Sequence, residues 1–218
     1  MNNYIYLIPA RAGSKRIPGK NTIIFNSKPL IEHSIEFALR VTESDRIFVS
    51  TDSEKAKEVA EKHNVKIHHR NSLYAKDETS MIKTTLNFIN TFNISDDTNI
   101  VLLQPTSPFR RINFFNNLKK SFEQANSPTS AFSVVRCKFF HPSKIGSLQK
   151  NNNFKFIDIP KEENIDNDKK TPFYVISGTY YIVPVWSLKE TNSFIGSNPI
   201  ALEEDDATFC NLDSPSDL

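Results

Sequence analysis

The stretch Tyr4-Ile-Tyr-Leu-Ile-Pro-Ala-Arg-Ala-Gly-Ser-Lys-Arg-Ile-Pro-Gly-Lys-Asn21 is the part of the chain from which the rest can be read. Its first five residues are a short β-rich apolar run, and a loop punctuated by glycine and proline follows at once. Arg11, Lys15, Arg16 and Lys20 place four cations within ten residues, beside Gly13, Ser14 and Gly19. Backbone that closely approaches phosphate oxygens needs glycine, and the anion needs N–H groups and cationic side chains. Such a loop directly after a strand predicts a phosphate site. It is not a Walker A loop. Five residues separate Gly13 from Gly19 where that motif has four, and Asn21 stands where Ser or Thr would meet magnesium. The dinucleotide pattern G-x-G-x-x-G is absent as well.

Outward from this loop, strand-like and helix-like segments alternate. Pro29–Arg40 (PLIEHSIEFALR) has its apolar residues close to one helical face, with Pro29 near the first turn. Arg46–Ser50 predicts a strand, Thr51-Asp-Ser53 offers caps to a helix through His63, and Val65–His69 predicts a third strand. A helix over 80–92, a buried strand over 99–103, a helix over 112–125 and a strand over 129–135 continue the order. This alternation predicts an α/β fold with a mostly parallel sheet covered by helices. Ligands of such sheets sit beyond the carboxyl ends of the strands, so the loops after Ile8, Ser50, His69 and Leu103 matter most. Residues 141–172 break the rhythm with Asn, Lys and Pro and read as an inserted excursion, with a hairpin around Phe154–Ile159. Tyr180–Val183 resumes the sheet within a single domain spanning 1–218.

Composition narrows the function classes. Lys+Arg number 27 against 25 Asp+Glu, a net charge of +2, which excludes a polybasic nucleic-acid binder and an acidic disordered chain. The 38% hydrophobic content and 17 Phe suffice for a core, and the five Gly exclude collagen-like architecture. Cys137 and Cys210 stand far apart with no partner at metal-ligand spacing, as suits a reducing cytoplasm. The apolar run Tyr4–Pro9 is too short for a signal peptide, and no stretch approaches the roughly 20 apolar residues of a membrane span. His68 and His69 are adjacent in an extended segment, so they point to opposite faces and do not chelate one ion. Phe109, Phe114 and Phe115 lie beside Arg110 and Arg111 at the start of a helix and read as core. The run Glu203-Glu-Asp-Asp206 reads as a solvated face.

The run Ile8–Asn21 resembles the signature of the acylneuraminate cytidylyltransferase (CMP-sialic acid synthetase) family. Val49-Ser-Thr-Asp52, Leu102-Leu-Gln-Pro-Thr-Ser-Pro-Phe-Arg110 and Leu212-Asp-Ser-Pro-Ser-Asp-Leu218 fit the family in the same order. The resemblance implies a Rossmann-like three-layer α/β/α nucleotidyltransferase fold, with a small dimerisation subdomain inserted at 137–175 and a homodimer as the assembly. It implies a reaction between CTP and a nonulosonic acid, with Mg²⁺ or Mn²⁺ as cofactor. Under it Arg11, Gly13, Ser14 and Lys15 hold the triphosphate, while Lys20 neutralises charge growing on the α-phosphate. Asn21, Arg70 and Ser80 match nucleotide-selecting positions, although Ser80 could equally cap a helix, and Asp77 orients their loop. Gln104, Arg110 and Ser177 fall on the sugar side, and Arg110 could instead serve a structural role. Asp213 is a metal ligand. Two departures from the family are visible. Asn211 replaces the first acid of an Asp-x-Asp pair, so the metal ligands implied are Asp213 and, without its charge, Asn211. Val175-Ile-Ser-Gly-Thr179 replaces an Arg-Pro-Asn-Gly-Ala segment, which points to an acceptor such as legionaminic or pseudaminic acid in place of N-acetylneuraminate. A 3-deoxy-octulosonate enzyme and a nucleotide-binding relative without catalysis are the alternatives.

Overall fold

A computed structural model of the 218-residue chain describes residues 3–14, 16–75, 78–137, 145–150, 153–156, 172–205 and 209–217. The strand β1 (Asn3–Pro9) leads, through the glycine loop, to a small hairpin of β2 (Ile24–Phe25) and β3 (Lys28–Pro29). Helix α1 (Leu30–Leu39), β4 (Ile47–Thr51), α2 (Glu54–Lys62), β5 (Lys66–His69), α3 (Met81–Thr91) and β6 (Thr98–Leu102) follow. Then come α4 (Ile112–Gln124), β7 (Ser130–Arg136), β8 (Gly146–Leu148), β9 (Phe154–Phe156), β10 (Tyr174–Pro184), α5 (Val185–Thr191) and β11 (Pro199–Glu203). The central sheet has the order β11-β7-β10-β6-β1-β4-β5. β1 pairs in parallel with β4 and β6, β4 with β5 and β11 with β7; β10 alone runs antiparallel to its neighbours β6 and β7.

The sheet lies between two apolar layers, and β1 shows why. Successive strand residues point to opposite faces, and both faces of this strand are covered, so its apolar run is nearly continuous. Tyr4, Tyr6 and Ile8 join the core under α1, α2 and α4, with Ile31, Ile35, Phe115 and Leu118. Ile5 and Leu7 join the opposite core under α3 and α5, with Phe88, Ile89, Val185 and Leu188. Each fully buried side chain of this size stabilises the fold by roughly 1.5–3 kcal/mol. After β5 the chain crosses over β1 to place β6 on its other side, which makes the carboxyl end of β1 the switch point of the sheet.

The expected α/β class and parallel sheet are present. β10 is longer than expected: it passes from Ile176 to Tyr181 through a bulge, with Gly178 at φ 81°, before completing its pairing with β7. In the bulge Ser177 Oγ lies 2.6 Å from Ser133 Oγ, and the Tyr180 amide donates to Ser133 Oγ at 3.2 Å. Hydroxyls thus replace ladder bonds. The hairpin around Phe154 exists, its β9 arm pairing with Gly146–Leu148; residues 157–159 lie outside the described residues. Of the expected insertion over 137–175, residues 138–144, 151–152 and 157–171 also lie outside them.

Candidate active site

The glycine loop is fastened to the neighbouring strand end. The Ala10 amide donates to the Ser50 carbonyl at 2.9 Å, the Ala12 amide to Asp52 Oδ1 at 2.7 Å, and the Thr51 hydroxyl to the Ala10 carbonyl. At the far end Gly19 takes φ 64°, a conformation that favours glycine, and opens a 3₁₀ turn over Lys20–Thr22. The turn folds the loop back, so that Asn21 Nδ2 donates to the Arg11 carbonyl at 3.0 Å. Arg11, Lys20 and Asn21 therefore face one place.

That place is a cavity of about 200 Å³ at the carboxyl ends of the parallel strands, with Arg11, Lys20, Asn21, Arg70, Gln104 and Asp213 on its wall. They come from the glycine loop, from the loops after β5 and β6, and from the far end of the chain. Arg70 follows β5 and is buried; its Nη2 donates to the Ser50 carbonyl at 3.0 Å. Burial, reinforced by Arg11 and opposed by Asp52, lowers its pKa to about 10, which leaves it charged at neutral pH. Gln104 follows β6. Asp213 arrives from the end of the chain, because Leu212 is buried and its amide donates to the Thr106 carbonyl at 2.9 Å. Lys20 Nζ lies 2.8 Å from Asp213 Oδ1. Partial burial favours the protonated acid at Asp213. The bond and charge of Lys20, the Asn211 amide and the charge of Arg16 outweigh it and hold the pKa below the usual carboxylate value.

Other candidates stand elsewhere. Ser80 caps α3, accepting from the Lys83 amide at 3.3 Å. Gly13 is exposed, and a Cβ there would meet nothing within 4 Å, so no protein contact requires glycine at this position. Ser14 is half-buried in the same loop; Lys15 and Asp77 lie outside the described residues. Arg110 does not line this cavity, and its contacts are those of the structural role that the sequence left open. Its Nε donates to the Thr179 carbonyl at 3.0 Å, Nη1 to Ser34 Oγ at 2.9 Å and Nη2 to the Gln104 carbonyl at 2.7 Å. It lies between the rings of Phe37 and Tyr180, and burial lowers its pKa to about 10. It is a buried brace for the Gln104 loop. Ser177 is likewise buried in the bulge of β10 and does not line this cavity. Glu204 is buried and accepts from Thr179 Oγ1 at 2.8 Å, so the acidic run is not wholly a solvated face. Of the three phenylalanines read as core, Phe115 is buried and Phe109 is exposed.

A larger cavity of about 550 Å³ opens at the start of α4. Arg40, Arg110 and Arg111 line it together with Glu204 and Asp205, so two acids offset most of its positive charge, whereas in the smaller cavity Arg11, Lys20 and Arg70 face Asp213 alone. The smaller cavity has the chemistry. Among the described residues no three His, Cys, Asp or Glu side chains gather as a metal cluster. Asp213 is the one carboxylate among the six wall residues named above, and Asn211 turns its Nδ2 toward Asp213 Oδ2 at 2.8 Å. Mg²⁺ commonly takes one or two carboxylates plus substrate phosphates, and this donor set fits an ion that arrives with a nucleotide.

The sequence offered Asp52 only as a candidate cap of α2, a task Ser53 performs, and not as an anchor of the glycine loop. Its signal was available: in a parallel sheet the loops after neighbouring strands meet, and Asp52 follows β4 beside β1. Thr106, whose carbonyl anchors the tail, acts through its backbone and leaves no mark in residue type.

A family profile described as Cytidylyltransferase matches residues 5–174. The CMP-N,N'-diacetyllegionaminic acid synthase of Legionella pneumophila is 32% identical, over 97% of this chain and 91% of its own length. The N-acylneuraminate cytidylyltransferase of Escherichia coli is 28% identical over 98% of this chain, which spans 50% of that protein. A solved CMP:2-keto-3-deoxy-manno-octonic acid synthetase complexed with CTP superposes with a TM-score of 0.70 at 18% identity, covering 98% of this chain and 94% of its own, and shares the fold.

Proposed function

The chain belongs to the cytidylyltransferase family, and from that premise we propose that it transfers CMP from CTP to the anomeric hydroxyl of a nonulosonic acid. The observation that carries this reading is the convergence of Arg11, Lys20, Asn21, Arg70, Gln104 and Asp213 on one cavity at the switch point of the sheet. In the reaction the anomeric oxygen bonds to the α-phosphorus as the bond to the β-bridging oxygen breaks. The electron pair leaves with pyrophosphate, and the hydroxyl proton passes to water. Arg11 and the loop amides hold phosphate oxygens, and Lys20 offsets the charge that grows on the α-phosphate. Asn21 and Arg70 hold the nucleoside, and Gln104 orients the acceptor. Asp213 would hold Mg²⁺, which supplies charge neutralisation of the triphosphate. The triphosphate competes with Asp213 for the Lys20 ammonium, so the ion pair exchanges partners as substrate enters.

The acceptor is of the legionaminic type, a reading supported by the Legionella relative and by the segment Val175–Thr179. The protein works in the cytoplasm as a homodimer. The dimer reading is supported by the exposed apolar side chains Leu148, Phe154 and Phe156 of the β8–β9 hairpin. Pyrophosphate release with each of the four NTPs, against a panel of nonulosonic acids and 3-deoxy-octulosonate, tests the reaction. Release with CTP and a nonulosonic acid supports it. Release with another NTP alone, or none under Mg²⁺ or Mn²⁺ while CTP still binds, overturns it.

A further inference from the structure

Arg70 is held from behind by two residues that do not reach the cavity. Ser50 on β4 and His68 on β5 are register partners in the parallel pairing, both buried, on the sheet face that packs against α3. Arg70 Nε and Nη2 each lie 3.3 Å from Ser50 Oγ, and the same oxygen lies 2.9 Å from His68 Nδ1. A guanidinium has donors only, so Ser50 Oγ accepts on that side, and its single hydrogen is available to His68 Nδ1. The imidazole is then neutral, with its proton on Nε2. Burial first, then the charges of Arg70 and His69, lower the His68 pKa against a smaller opposing effect of the Asn87 side chain. Nε2 makes no well-formed hydrogen bond, and the ring stands edge-on to Phe88 and Phe92 at 5.5 and 5.9 Å. An apolar residue in this aromatic setting would avoid the unpartnered ring nitrogen, at the cost of the Ser50 contact. What the histidine adds is the acceptor at Nδ1.

We infer that His68 is a positioning residue for the nucleotide site, acting through the Ser50 hydroxyl to fix the guanidinium of Arg70. The inference rests on the proposed role of Arg70 as a nucleotide contact. With the serine hydrogen committed to His68, the oxygen lone pairs face the guanidinium, and Arg70 keeps one rotamer when CTP arrives. Binding that needs no reordering of a long side chain is tighter, so the effect belongs in affinity for CTP and not in turnover.

The test is steady-state pyrophosphate release with CTP varied, together with calorimetric CTP binding in MgCl₂, which needs no acceptor sugar. His68→Phe fills the space without the acceptor. It is expected to raise the KM and Kd for CTP about fivefold, the worth of one hydrogen bond, with kcat within about twofold. His68→Asn, whose side-chain carbonyl can stand in for Nδ1, is expected to return both to within about twofold of the native protein. Ser50→Ala should match His68→Phe, and the double variant should be no worse than either, because the two act through one link. Unchanged CTP affinity in His68→Phe, an equal loss in His68→Asn, or multiplying effects in the double variant would overturn the relay. Should His68→Phe not fold, Ser50→Ala against Ser50→Thr carries the same comparison. Arg70→Ala separates the levels. Unchanged affinity there refutes the nucleotide role of Arg70; weakened affinity there beside a native-like His68→Phe refutes the relay alone.

Discussion

Lys20 and Asp213 are 193 positions apart in sequence and 2.8 Å apart in space, and their pairing sets the behaviour of the site. Lys20→Ala removes the charge proposed to face the α-phosphate and should lower kcat for pyrophosphate release by about 10² or more, as for other lost charge-stabilising donors. Near-normal turnover would remove Lys20 from the chemistry. Asn211 now spends an amide hydrogen on Asp213 Oδ2. Asn211→Asp exchanges that donor for a second carboxylate, and the Mg²⁺ concentration giving half-maximal rate should fall roughly tenfold, since ligand charge governs affinity. An unchanged Mg²⁺ requirement would exclude position 211 from the metal site. At this scale the sequence was legible where a residue works by its own side chain: Arg11, Lys20, Asn21, Arg70, Gln104 and Asp213 reach one cavity. It was not legible for Arg110, because a conspicuous cation in a loop motif reads alike whether it meets a ligand or three protein acceptors.

The helices are anchored by polar contacts that can be tested one at a time. Ser80→Ala removes the α3 cap and should cost about 1 kcal/mol in denaturant unfolding, which Ser80→Asp should restore. A loss of CTP affinity without loss of stability would instead return Ser80 to the nucleotide site. Buried Glu32 on α1 accepts from Lys62 Nζ at 2.9 Å and His63 Nε2 at 2.7 Å at the end of α2. Burial favours its protonated form, but the bonds and charges of Lys62 and His63 outweigh that and lower its pKa. A carboxyl lowered by folding contributes stability above its unfolded pKa, near 4.3, and loses it as pH falls through the folded value. Glu32→Gln should therefore lower Tm at pH 7, with the difference from the native protein closing below about pH 4. A difference independent of pH would refute the ion-pair account. Elements with strong periodicity, such as α1, were legible from sequence. β10 was not: its strand was expected only from Tyr180, whereas cross-strand hydroxyls carry it through Ser177-Gly-Thr179 from Tyr174. β11 and α5 are short and lack a clear periodic signal, and their places are set by β7 and β10.

For the whole molecule, the exposed hairpin makes a prediction about assembly. Leu148 is 70% and Phe156 59% exposed, and light scattering at micromolar concentration should give the mass of a dimer. Phe156→Glu should shift it toward monomer, and a native monomer would end the dimer reading. The order of layers follows from alternation along the chain, but the joining of its two ends does not, because nothing local in Leu212 or Thr106 announces a partner a hundred residues away. That junction has a consequence in time. During synthesis β1, its loop and the strands beside it can pair long before residue 213 exists, so the phosphate loop is built early with Lys20 unopposed. The carboxylate arrives only when the tail docks under Thr106. A chain released short of Leu212 would keep the scaffold and the cations proposed to hold nucleotide, but not the proposed metal ligand Asp213.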